Sequence, residues 1–156
     1  MSASHFCPYV LSMPLFDSNY LTITYTPESQ QLTGRWLRSV MPFELHRGYN
    51  TLLDSAVERN SRYWLIDIRR RSSVESRDVY WMLEEFYPQL FPRLGRTTFI
   101  AFLMAPNQLA GVLADSKMPV LETPEDGKPY IIQRFTEEKS AQDWLHHYQQ
   151  QESVAR

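Results

Sequence analysis

A chain of 156 residues, 43% hydrophobic and 22% charged, has the composition of one globular domain able to bury a core unaided. Its net charge of -2 supplies no field for nucleic acid or an anionic membrane, and its single cysteine, Cys7, excludes an intrachain disulfide and a cysteine-built zinc site. No run approaches the roughly 18 apolar residues that span a bilayer, and no basic, then apolar leader opens the chain, so a cytoplasmic protein is expected.

Residues 1–17 read as a tail that ends in an edge segment, because Pro14 interrupts the apolar run Val10 to Phe16. Tyr20 to Tyr25 then alternates, with Leu21, Ile23 and Tyr25 on one face and Tyr20, Thr22 and Thr24 on the other. Across the turn around Pro27, Gln31 to Arg38 returns as the second arm of a hairpin, with Leu32, Gly34 and Trp36 on one side. Pro42 opens a helix whose apolar face is Leu45, Tyr49, Leu52, Leu53 and Ala56, ending near Asn60. Gly48 lies inside that helix and weakens it by about 1 kcal/mol relative to alanine.

Tyr63 to Ile68 is a short, mostly apolar run, the mark of a strand covered on both faces. A basic, serine-containing turn follows, and then a helix with Val79, Met82, Leu83, Phe86 and Leu90 as its buried stripe. Arg77, Asp78, Glu84 and Glu85 point away from that stripe, while Pro88 and Pro92 are expected to end the helix. Thr97 to Met104 is the next central strand, and Pro106-Asn107 precedes a short helix carrying Leu109, Val112 and Leu113. A proline-rich loop over 116–129 leads to a last strand, Tyr130 to Phe135. Thr136 caps a closing helix with Ala141, Trp144, Leu145 and Tyr148 inward, and residues 151–156 are expected to fray. The order predicts a single α/β domain over 18–150, a mixed five-stranded sheet of one antiparallel hairpin and then parallel strands, with four helices.

Chemistry concentrates at the junction between Asp67 and Trp81. Ser72, Ser73 and Ser76 are candidate helix caps, Ser72-x-x-Glu75 matching a capping box, or candidate phosphate acceptors. Arg69, Arg70, Arg71 and Arg77 form either a solvated turn paired with Asp78 or Glu75, or a contact for an anionic ligand or partner. Asp67 ends a central strand, where open α/β sheets place ligands, but no matching base or nucleophile accompanies it. It is expected to accept hydrogen bonds from the following turn. Tyr80 and Trp81, one step off the stripe, are candidate partner-surface aromatics. The four histidines, His5, His46, His146 and His147, lack metal-ligand spacing, so neither a metal nor a cofactor is expected.

The element order, with Leu65-Ile66-Asp67 running into a serine turn and a helix, resembles the STAS domain of anti-sigma-factor antagonists. The chain is more closely similar to small uncharacterised bacterial STAS-like proteins, through Trp36, Asp67, Trp81 and the closing segment Phe135 to Leu145. The resemblance covers roughly residues 18–148. It implies that a serine after the central strand, here Ser72 or Ser73, switches partner binding when phosphorylated. Three arginines and no glycine flank those serines, unlike the family's Asp-Ser-Ser-Gly. The expected function is therefore a non-enzymatic regulatory or protein-interaction module whose partner is a protein, a second copy of the chain included. The alternative is a carrier of a small apolar or acidic ligand in an aromatic pocket, as in CRAL-TRIO proteins, whose fold is similar.

Overall fold

A computed structural model describes residues 11–119 and 129–154. Strands β1 (Met13–Asp17), β2 (Leu21–Thr26) and β3 (Gln31–Trp36) come first, followed by helix α1 (Pro42–Arg59) and strand β4 (Tyr63–Asp67). Then come α2 (Ser76–Trp81), α3 (Leu90–Leu94), β5 (Thr98–Leu103), α4 (Pro106–Ala114), β6 (Tyr130–Phe135) and α5 (Glu138–Val154). Among the described residues the strands form one sheet in sequence order, β1 to β6. The β1–β2 and β2–β3 pairs are antiparallel, and β3 to β6 run parallel.

The sheet thus has six strands where five are expected. The added one is β1, which the sequence pattern marks only as an edge segment because of Pro14. It pairs with β2 through a register shift between Pro14 and Phe16. An edge strand tolerates a proline whose missing N–H faces away from the neighbour, and a bulge absorbs the misfit.

Side-chain alternation divides the core in two. Leu32 and Trp36 of β3, Trp64 and Ile66 of β4 and Ile100 of β5 pack with Leu45, Tyr49, Leu52, Leu53 and Ala56 of α1, and with Phe86, Leu90 and Val112. The opposite face of the parallel strands, including Tyr63, Leu65, Phe99, Ala101, Leu103 and Ile131, packs on Ala141 and Leu145 of α5. Consecutive parallel strands joined by crossovers of one hand place the connecting helices on one side. Only α5, after the last strand, reaches the other. This explains why β4 and β5 read as continuous apolar runs, whereas the hairpin alternates.

Between β4 and β5 the chain is helical from Ser76 to Leu94 without a break, in four unlike pieces. After α2, Met82–Phe86 forms a π turn and Tyr87–Gln89 a 3-10 turn, before α3 begins. Pro88 offers no N–H to the carbonyl of Glu84, and its ring crowds that oxygen, so the backbone widens just upstream. The prolines therefore reshape the helix rather than end it. Termination falls to Gly95, whose φ of 78° lies in the left-handed region where glycine meets no Cβ penalty.

Gly48 is required for packing, not for flexibility. A Cβ there would stand 2.4 Å from the Trp36 ring and 3.0 Å from a Leu21 methyl, so α1 lies on the sheet only because that position is bare. Gly48→Ala gains up to about 1 kcal/mol of helix propensity but incurs about 1–3 kcal/mol of overpacking. A net loss of about 1 kcal/mol is expected in urea denaturation. A gain in stability would show that Trp36 moves freely.

Candidate functional site

The carboxyl ends of β3 and β4 lie side by side, with Arg35 in register with Asp67. Both side chains fall on the α5 face, where α5 begins at Glu138. Asp67 Oδ2 accepts from Arg35 Nη1 at 2.8 Å and Arg69 Nη2 at 2.9 Å. Its Oδ1 accepts from Arg69 Nε at 3.0 Å and from the Arg69 backbone N–H at 3.1 Å, so the following turn does bond back to it. Glu138 accepts both ends of the Arg35 guanidinium, at 2.8 and 3.1 Å, and lies 3.5 Å from Arg69. Two arginines and two carboxylates thus close a ring in an open cleft of about 590 Å³. Burial alone would raise the Asp67 carboxyl, but hydrogen bonds from Arg69 and Arg35 outweigh it and hold the group below its ordinary value. A carboxylate kept ionised and engaged by four donors anchors the turn and is poorly suited to take a proton.

The turn itself runs from Ile68 to Arg71, closed by a 3.0 Å bond from the Arg71 N–H to the Ile68 carbonyl. Gln108 of α4, itself buried, donates to the carbonyls of both residues at 2.8 and 2.6 Å. The turn is therefore fixed from below as well as from the strand end.

The four arginines separate. Arg69 is committed to Asp67. Arg71 is not part of a solvated basic patch: it is buried, donates to Asp78 at 3.3 Å, and places its guanidinium carbon 6.0 Å from the centroid of the Trp36 ring. Asp78 accordingly faces inward, against the expectation that it points away. Arg70 is exposed with no ion-pair partner among the described residues, and Arg77 is 73% exposed with only a 3.9 Å approach to Asp78.

The serines do not cap the helix. Glu75 occupies the N-cap position without a side-chain cap, and Ser76 is already helical. Ser39 bridges instead: its Oγ accepts the Ser72 N–H at 2.8 Å and lies 2.6 Å from the Ser72 Oγ. Ser73 donates to Glu75 at 3.0 Å. Val74 turns inward to line a cavity, and the helix begins three residues later than that capping box places it. Ser72 and Ser73 stay exposed, and Ser76 is half-buried.

Of the two aromatics, Tyr80 is 44% exposed, whereas Trp81 is not a free surface group. Trp81 is half-buried and stacked on His46 of α1, ring centroids 4.0 Å apart and 15° from parallel. The widened turn after Trp81 rotates it toward α1, a change that helical periodicity alone does not foresee. Exposed Met41 and Phe43, at the start of α1, extend the apolar surface near the Ser39–Ser72 bridge.

Arg35, Glu138, Gln108 and Ser39 were not foreseen as site residues. Arg35 and Glu138 lie 103 positions apart, so only the parallel register and the course of α5 bring them together. The one local signal was Arg35 on the polar side of its strand.

No protein-family model matches the chain, and no curated protein matches it. Among solved structures it is similar to an uncharacterised protein from the DUF3478 family with a SpoIIAA-like fold, from Shewanella loihica PV-4. The two are 15% identical, the match covers 93% of this chain and 98% of that one, and the TM-score is 0.44. That neighbour's fold is of the STAS-like kind. The arrangement of this chain rests on its own strand order and register.

Proposed function

We propose that this chain is a non-enzymatic regulatory module that presents the turn after β4, and α2 behind it, to a protein partner. The observation that carries the reading is a contrast within a few residues. Arg69, Arg71, Asp67 and Asp78 are locked in ion pairs, while Arg70, Ser72, Ser73, Arg77 and Tyr80 project from the same rigid frame. An exposed tyrosine flanked by exposed arginines has the composition of an interface anchor and its rim. Met41 and Phe43, 60% and 67% exposed, widen the apolar part.

A photo-crosslinking residue placed at Tyr80 tests this in extract from the source cells. A discrete adduct at Tyr80, weakened by Arg70→Glu, is expected. The same probe at Leu113, equally apolar and 72% exposed on α4, should give none. Equal labelling at both positions would remove the partner surface. A crosslink joining two copies of the chain would instead identify the partner as the protein itself.

Ser72 is the residue through which phosphorylation would act. A phosphate there adds about -1.5 to -2 charge and bulk beside the Ser39 hydroxyl, now 2.6 Å from the Ser72 Oγ, and would press the loop before α1 away from the turn. Ser39→Ala imitates the parting without the charge. It should raise hydrogen exchange at the Ser72 amide about fivefold, the equivalent of one ordinary hydrogen bond. Unchanged protection would show that Ser39 does not hold the turn.

The carrier alternative has one feature in its favour, a cavity between the sheet and α2. At about 60 Å³ it lies well below the roughly 300–1,000 Å³ that drug-sized ligands occupy.

A further inference from the structure

The cavity is small, but its polar lining is unbalanced. Most of its wall is apolar, supplied by side chains such as Met82, Val112 and Ile132. Five groups break that wall: Arg71 and Asp78, which pair with each other, and Tyr49, Tyr87 and Arg134. Arg134, on β6, is half-buried and forms no ion pair with any described residue. Burial pulls its guanidinium below the ordinary arginine value, with only the neighbouring Tyr87 phenol acting the other way. Tyr87 is 4% exposed, its phenol makes no hydrogen bond to a described residue, and burial pushes its ionisation well up, so it remains a donor. An uncompensated cation and an unengaged phenol therefore meet in one largely apolar space. Two positive groups face one negative, and unengaged donors outnumber acceptors. Both donors are free to take an acceptor, and a ligand that accepts from them in this space gains charge-assisted hydrogen bonds.

The chemistry of the space selects the ligand. A phosphate has three strongly hydrated oxygens, and the apolar wall offers nothing to most of them. A carboxylate needs only a guanidinium and one further donor, and its alkyl end suits the rest. At about 10–15 Å³ per water-sized body, 60 Å³ admits roughly four to six heavy atoms.

We propose that the cavity is a binding site for a short-chain monocarboxylate, its carboxylate held by Arg134 and Tyr87 and its alkyl end against Met82, Val112 and Ile132. Arg71 and Asp78 close the site at the turn, so an occupied cavity lies directly behind the surface assigned to the partner. The site deepens the carrier reading and is independent of the partner surface: a failed ligand titration leaves the Tyr80 crosslink as it is.

Calorimetric titration with butyrate and with butyramide, its neutral counterpart of equal size, tests the proposal. The unaltered protein should bind butyrate at least about tenfold more tightly than butyramide, the factor expected for a charge-assisted contact. Arg134→Met should weaken butyrate by at least about tenfold and leave butyramide unchanged, while Arg70→Met, outside the cavity, should alter neither. Failure of butyrate to bind saturably at millimolar concentration would overturn the assignment. So would equal affinity for the amide, or an effect of Arg70→Met matching that of Arg134→Met. The butyrate and butyramide comparison on the unaltered protein needs no variant to fold.

Discussion

Replacing Phe86 by alanine is expected to lower the unfolding free energy by about 4 kcal/mol, the cost of emptying a fully buried aromatic site. Phe86 is 0% exposed and closes the π turn. Its ring centroid lies 5.2 Å from that of Tyr49, 5.9 Å from those of Trp81 and Tyr87, and 6.2 Å from that of Trp64. One ring thus ties α1, the sheet and the irregular helix to a common point. The loss should appear in urea denaturation, together with a weakened near-ultraviolet signal from Trp81. A loss under about 1 kcal/mol would mean that the surrounding rings collapse into the gap. The π turn would then be held by something other than this cluster.

The second large effect is expected at the opposite end of the sheet. Arg62 is buried at the start of β4 and donates to Glu152 of α5 at 2.6 and 3.3 Å, and to the Thr97 carbonyl at 2.6 Å. Tyr63 donates its hydroxyl to the same carboxylate, and Arg96 approaches it at 3.5 Å. Arg62→Met should cost about 2 kcal/mol, because it removes charge-assisted bonds to the half-buried Glu152 carboxylate, and adding Glu152→Gln should restore part of that loss. No recovery in the double variant would place the effect in the Thr97 contact.

The same cluster sets a dependence on pH. Burial would raise the Glu152 carboxyl, but hydrogen bonds from Arg62 and Tyr63 bring it below its ordinary value, as Asp67 is brought down at the other end. A folded-state value below the unfolded one means that the unfolded chain binds protons first as pH falls. Stability contributed by both groups is therefore complete above about pH 5 and declines below about pH 4. Arg62→Met should flatten that acid decline. In the alkaline direction, burial and the neighbouring Glu152 carboxylate push the Tyr63 phenol up to about 12, so it stays protonated as a donor through the neutral range.

The parallel part of the fold was legible because its strands are buried on both faces and separated by helices of clear period. Leu45 to Ala56 names the inner face of α1 correctly, and Tyr63 to Ile68 the central strand. What escaped are features set by distant partners. β1 needs β2 beside it before its proline becomes tolerable. Arg71 and Asp78 are charged and so read as exposed, but their mutual pairing lets both turn inward. Ser72-x-x-Glu75 has the letters of a cap, yet Ser39, 33 positions away, takes the serine first. Trp81 lies one step off a regular helical stripe, and the helix is not regular there. In each case a local rule gave way to a contact between segments remote in sequence.

The two ion-pair clusters also act on α5 as a pair. Glu138 holds its first turn to the ends of β3 and β4, and Glu152 holds its last turns to the beginnings of β4 and β5. At about 1.5 Å per residue these anchors are roughly 20 Å apart, close to four turns. A helix pinned at both ends has only one position along the sheet and one rotation about its axis. Inserting a single residue midway would swing one anchor by about 100° relative to the other, so that only one could dock. The spacing of the two glutamates therefore works as a gauge of length for the helix that covers the second face.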